Sequence, residues 1–301
     1  MRESQPSATA LLIVQAMAMQ ARDPELSRLI PTDAAALWDR FLEAADPERA
    51  RLVRWVAGKG WARALAGLGE RLAIPGVRLH YVVRKLHLEE AARQALGEGV
   101  SQVVVLGAGF DPLALRLHRE YPGALFVECD HPATQRFKRR ALEGMETGPN
   151  LRLVELDLGK ARVADVVPAQ PGWRPEAGTL LIAEGLTMYL QAAEVDALFA
   201  FLREHTGPAS RFAFTFMEPQ RNGRIDFPGS TPLVRSWLRM VGEPFTWGLR
   251  REDLPGFLKT RGFSLTEVAG ADLLRQRYLE PAGLAGRRLA VGEYVAVARR
   301  N

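Results

Sequence analysis

Apolar and polar positions follow two different rhythms along this chain, and the change falls near residue 100. Upstream, apolar residues recur three and four apart: Trp38, Phe41 and Leu42, then Leu52, Trp55 and Val56. That is the spacing of one face of an α-helix. Asp46 followed by Pro47 reads as a helix start, with Asp as the N-cap and Pro in the first turn. Ile74-Pro-Gly-Val77 interrupts the pattern and residues 82–96 resume it. Residues 1–98 are thus expected to form a helical cap or lid region.

Downstream, short apolar runs alternate with amphipathic stretches. Strands are predicted at 102–106, 124–128, 151–156, 179–183, 211–217, 263–268 and 294–298, and helices at 112–120, 132–145, 192–205 and 252–260. Strand–helix–strand repetition implies a parallel sheet with right-handed crossovers and helices on both faces. No clear helix separates the last two strands, so they are expected to pair antiparallel. The predicted fold is α/β: a doubly wound, mostly parallel, seven-stranded sheet over 99–301, with an N-terminal helical region. Residues 219–250, rich in Pro, Gly and aromatics, read as a substrate-side insertion over the mouth of the site.

Composition narrows the setting. The chain has 301 residues, 47% of them hydrophobic and 25% charged, with a net charge of +5. It is long enough for a sizeable core. Its basic residues are mostly Arg and are spread through the chain, so no nucleic-acid footprint is read from them. The single Cys129 excludes an internal disulfide and a multi-cysteine metal site, and no metal is expected. The apolar run at residues 11–19 is shorter than the ~20 residues that span a bilayer. An amphipathic first helix, a cytoplasmic protein and no membrane partner are therefore expected, and no oligomeric state is assigned.

The candidate chemistry gathers at the strand ends. QVVVLGAGFDP, from Gln102 to Pro112, closes a strand with Gly107 and Gly109. Glycines there permit a tight turn and close approach of a ligand to the backbone, although a ligand-free strand–helix turn uses them too. Pro112 stands where a dinucleotide-binding GxGxxG would place its third Gly. About 20 residues on, Val127-Glu-Cys-Asp-His131 offers Glu128 or Asp130 to ribose hydroxyls. Asp157 in Glu155-Leu-Asp-Leu158 could meet an adenine amino group, and Glu184 follows the fourth strand beside Gly185. Ligands in open parallel sheets bind beyond these carboxyl ends.

In this order and spacing, QVVVLGAGFDP…LALRL, FVECDHPATQRFKR, VELDL and LLIAEGLTMYL resemble the leucine carboxyl methyltransferase family of S-adenosylmethionine-dependent methyltransferases. The likeness runs from about residue 84 to 216. It implies S-adenosyl-L-methionine as cofactor. It further implies that Arg84 binds the methionine carboxylate, that Gly107 and Gly109 form the turn beneath that moiety, and that Asp130 is the ribose acid. Asp157 and Leu158 would contact adenine, and Glu184 would lie near the amino group. Around Arg84 the family usually has a second Arg and an Asp; this chain has Leu86 and Glu89.

The expected activity is O-methyl transfer to a carboxylate or hydroxyl oxygen of a small molecule or peptide. A carboxylate acceptor needs no base, whereas a hydroxyl gains from one. His131, His205 or a carboxylate lining the pocket are candidate bases, Tyr189 a candidate pocket residue, and Trp237, Phe245 and Trp247 candidate walls of an acceptor pocket. No catalytic residue is assigned. The competing readings are a nicotinamide-dependent oxidoreductase and a cofactor-binding protein of the same fold without turnover.

Overall fold

The structure, a computed structural model, describes residues 6–301; the first five residues of the expected cap lie outside it. Five helices come first: α1 (Ala8–Gln20), α2 (Thr32–Ala45), α3 (Pro47–Ala57), α4 (Gly60–Ala73) and α5 (Val77–Gly97). Asp46 caps α3 as expected, accepting from Arg49 N at 2.9 Å with Pro47 in the first turn. Trp38, Phe41 and Leu42 of α2 are buried in the core as that spacing implies. Leu52 and Trp55 of α3 do not: their side chains are exposed, and Ala50, Val53 and Ala57 face inward instead.

Then come β1 (Gln102–Leu106), α6 (Leu113–Glu120), β2 (Leu125–Asp130), α7 (Pro132–Ala141), β3 (Leu151–Glu155), the short α8 (Val163–Val166) and β4 (Thr179–Ala183). The chain continues through α9 (Ala192–His205), β5 (Arg211–Met217), α10 (Pro232–Met240), α11 (Leu254–Lys259), β6 (Phe263–Ala269), α12 (Ala271–Leu274) and β7 (Glu293–Arg300). A capping box starts α9: Glu194 Oε2 accepts from Gln191 N at 2.6 Å. The seven strands form one sheet in the order β3-β2-β1-β4-β5-β7-β6. Strands β1 to β6 run in the same direction, and β7, between β5 and β6, runs antiparallel to both.

Strand periodicity divides the core into two layers. Val103, Val105, Leu180 and Ile182 pack into a cluster with residues of α1, α2, α3, α5 and α6. Val104, Leu106, Leu181 and Ala183 pack on the opposite face with α8, α9 and α11. The cap is therefore part of one layer of the sheet's packing. Helical pieces not expected from the sequence are α8, α10 inside 219–250, and α12 with the following π-helical turn at Arg275–Leu279. The order reverses between β1 and β4, the place where ligands bind in such sheets.

Candidate active site

At that reversal the ends of β1, β2 and β4 open into a cavity of about 430 Å³, bounded on the far side by α1 and by Gly242, Glu243, Pro244 and Thr246. Gly107 and Gly109 have φ of +60° and +53°, in the left-handed region that side chains disfavour. A methyl group on Gly107 would lie 3.0 Å from Leu186 Cδ1, and one on Gly109 3.3 Å from Ala10 Cβ. The turn is thus side-chain-free both for its own backbone and for the neighbours that close over it.

Asp130, at the end of β2, is buried on the cavity wall. Its Oδ2 accepts from Gly109 N at 2.5 Å and its Oδ1 from His131 N at 2.7 Å. Burial raises its pKa, and these two N–H donors offset part of that rise. The alternative acid, Glu128, points elsewhere: it is fully buried against Lys138 at 2.7 Å and does not line the cavity. Successive residues of a strand face opposite sides, and Glu128 and Asp130, two apart, share a face; the difference is one of depth.

Arg84 reaches the cavity from α5, almost wholly buried. Its Nε donates to Glu184 at 2.9 Å and its Nη1 to Glu293 of β7 at 2.8 Å. Burial alone would lower its pKa, but Glu293 and Glu184 outweigh it, so Arg84 stays charged. Among the described residues its Nη2 has no hydrogen-bond partner, a donor left for an anionic group. Lys85 sits beside it, 2.5 Å from Asp111 and 3.0 Å from Glu184. Burial raises the pKa of Glu184, and Lys85 and Arg84 oppose the rise. Asp111 is held below its ordinary range: Lys85 and Glu184 outweigh the effect of its burial.

The sequence missed Lys85, Asp111, Glu293 and Glu243 as site residues. Asp111 stands inside the GAGFDP motif and Lys85 adjoins Arg84, so both carried a local signal. Glu293 meets Arg84 across 209 positions and carried none. Glu243 accepts from Ser7 Oγ at 2.9 Å, from Thr9 N at 3.2 Å and from Thr9 Oγ1, which pins the start of α1 over the cavity.

Tyr189 lines the cavity, its ring 5.3 Å from that of Phe245. Burial raises its pKa above the ordinary tyrosine value. Asp157 and Leu158 are not on the cavity wall; Asp157 lies half-buried beyond Asp130, 3.6 Å from His131 Nε2. His131 caps α7 and His205 stacks on Phe201, and neither lines the cavity. The three aromatics expected as acceptor walls are also elsewhere. Trp247 is in the core, Phe245 borders a separate, smaller cavity, and Trp237 lies in a surface groove.

A side-chain-free floor, a buried acid and a buried cation with a spare donor fit an adenosyl amino acid, with anionic, cationic and hydroxyl groups to be matched. Comparison with known proteins agrees. Residues 10–203 match the family described as Leucine carboxyl methyltransferase. A Frankia alni protein described as an S-adenosyl-L-methionine-dependent methyltransferase is 30% identical over 251 residues, covering 78% of this chain and 77% of its own. A protein of the same description from Mycobacteroides abscessus is 28% identical over 216 residues, 67% of this chain and 68% of that one. A solved methyltransferase structure from Thermobifida fusca shares the fold, with a TM-score of 0.55 at 18% identity over 87% of this chain and 94% of that one.

Proposed function

The chain belongs to the leucine carboxyl methyltransferase family and is an S-adenosylmethionine-dependent methyltransferase; from that premise we propose that it methylates oxygen, on a carboxylate of a small molecule or peptide. One observation carries the choice of carboxylate. Among the described residues no histidine lines the cavity, and each acid there is already engaged. Glu184 and Asp111 hold Lys85, Asp130 holds two backbone N–H groups, and Glu243 holds α1. A hydroxyl acceptor would gain from a free base in this position, whereas a carboxylate is ionised at neutral pH and attacks without one.

Bound S-adenosylmethionine supplies an electrophilic methyl group on a sulfonium. The residues divide the work of positioning it. Arg84 would hold the methionine carboxylate through Nη2, Glu184 would face the amino group, and the Gly107–Gly109 turn would let the backbone approach. Asp130 would bind the ribose, with Asp157 and Leu158 beside the adenine once it extends past the cavity wall. Tyr189 and Gly242, Glu243, Pro244 and Thr246 of the insertion would bound the acceptor side. In-line transfer requires oxygen, methyl and sulfur to align, and holding reactants so is worth on the order of 7–11 kcal/mol in well-oriented systems. Product is a methyl ester and a neutral thioether, and no proton has to move.

The test is transfer of a labelled methyl group from S-adenosylmethionine to a panel of carboxylic acids and peptides, with matched alcohols alongside. A methyl ester releases its label as methanol in mild alkali; an ether retains it. Base-labile label on the acids is the expected result. Label that appears only on alcohols and survives alkali would overturn the carboxylate assignment.

A further inference from the structure

Large apolar side chains on the outside of this protein are concentrated on one part of it. Of the ten such side chains exposed among the described residues, nine stand on α1, α3, α4 and α10, and only Val291 stands elsewhere. A surface helix ordinarily turns its apolar stripe toward the core. In α4 the stripe Trp61, Leu65, Leu68 and Leu72 faces outward, each more than half exposed, and only Ala62 is buried. Leu52 and Trp55 of α3 extend it, and the Trp55 and Trp61 rings meet edge to face at 5.5 Å.

The patch is continuous with α10. Trp237 shares a shallow groove with Leu12 and Leu52, and Thr231 N, just before α10, donates to Ala73 O at the end of α4. Its flanks are basic. Arg51, Arg54, Lys59, Arg71 and Arg239 are exposed on or between these helices. Acids on this face are fewer than the cations: α1 and α10 have none, Glu70 of α4 is turned to Arg78, Glu43 is paired with Arg54, Asp46 with Arg49, and the exposed Glu48 lines the groove beside Leu52. Contiguous apolar surface of this kind marks an interaction site.

We propose that this face docks the protein on the surface of an anionic lipid bilayer, with Trp55, Trp61 and the α4 leucines entering the headgroup boundary and the flanking cations meeting the lipid charges. Tryptophan and leucine on one face with arginine and lysine around it is the composition of helices that lie in the membrane interface. The charge decides against a second copy as occupant: a two-fold contact would set the cationic flanks against themselves. The docking is peripheral, for no helix of the described residues is long and apolar enough to cross a membrane. The inference is independent of the methyl acceptor's identity.

Flotation of the full chain with vesicles tests it, using phosphatidylcholine alone and phosphatidylcholine mixed equally with phosphatidylglycerol. The expected result is association with the anionic vesicles, weakened by salt and accompanied by a blue shift of tryptophan emission. A Leu65→Gln/Leu68→Gln variant should lose roughly tenfold or more of that partitioning, because the removed side chains no longer enter the apolar boundary. Both leucines are exposed, and S-adenosylhomocysteine binding by the variant verifies that it is folded. Failure to float with either vesicle, or equal partitioning by the folded variant, overturns the proposal. Concentration-dependent dimerisation abolished by the variant, without vesicle binding, assigns the face to a second copy instead.

Discussion

At the scale of single residues, the site is governed by how buried charges are matched. Glu293 is wholly buried, and burial alone would raise its pKa; Arg84 and His80 outweigh that and bring it down to about 2 from 4.5. A carboxylate whose folded pKa lies below its unfolded one stabilises the protein above the unfolded value and ceases to do so as pH falls through the folded one. The window here is pH 4.5 down to about 2, and the shift corresponds to roughly 3 kcal/mol. Urea unfolding of the protein and of Glu293→Gln should therefore differ most near neutrality, with the gap closing below pH 4.5. A gap that is constant with pH would mean that Glu293 does not hold its charge against Arg84. Arg84 was legible as a candidate because it stands at a motif position. Its dependence on Glu293 was not, since that residue sits at the start of the last strand with nothing local to mark it.

At the scale of elements, sequence periodicity located strands better than it located lids. Gln102–Leu106, Thr179–Ala183 and Arg211–Met217 are strands with the expected bounds, because runs buried on both faces carry an unbroken apolar signal. Helix α10 within 219–250 was missed, its short pattern obscured by the Pro and Gly around it. The closure of the cavity depends on such an element. Glu243, just past α10, holds Ser7 and Thr9 at the first turn of α1, where a negative charge is also favoured by the helix dipole. Glu243→Gln should loosen this contact by about 1 kcal/mol, the difference between a charged and a neutral acceptor. Hydrogen exchange of the α1 amides should accelerate several-fold while that of β1 and β4 stays unchanged. Unaltered exchange in α1 would show that its packing, and not Glu243, keeps it in place.

At the scale of the whole molecule, the cap and the sheet form one structure around the cavity, so a ligand there stabilises both. S-adenosylhomocysteine at a hundred times its dissociation constant should add about 2.7 kcal/mol, a rise in melting temperature of about 5 °C for a chain of this size. Asp130→Asn at the same ligand concentration should show a smaller rise, and an equal rise in both would remove Asp130 from the cofactor site. What the sequence determined by itself was the α/β alternation, the glycine turn and the acids that follow successive strands, because these are consequences of neighbours along the chain: strand periodicity, turn conformation and capping. What only the tertiary structure decided was which acids share one cavity, that Asp130 lines it and Glu128 does not, that Glu293 returns to Arg84, and that α4 turns its apolar stripe outward. Each of these depends on depth and on partners far apart in the chain, and periodicity specifies a face but neither its depth nor what it meets.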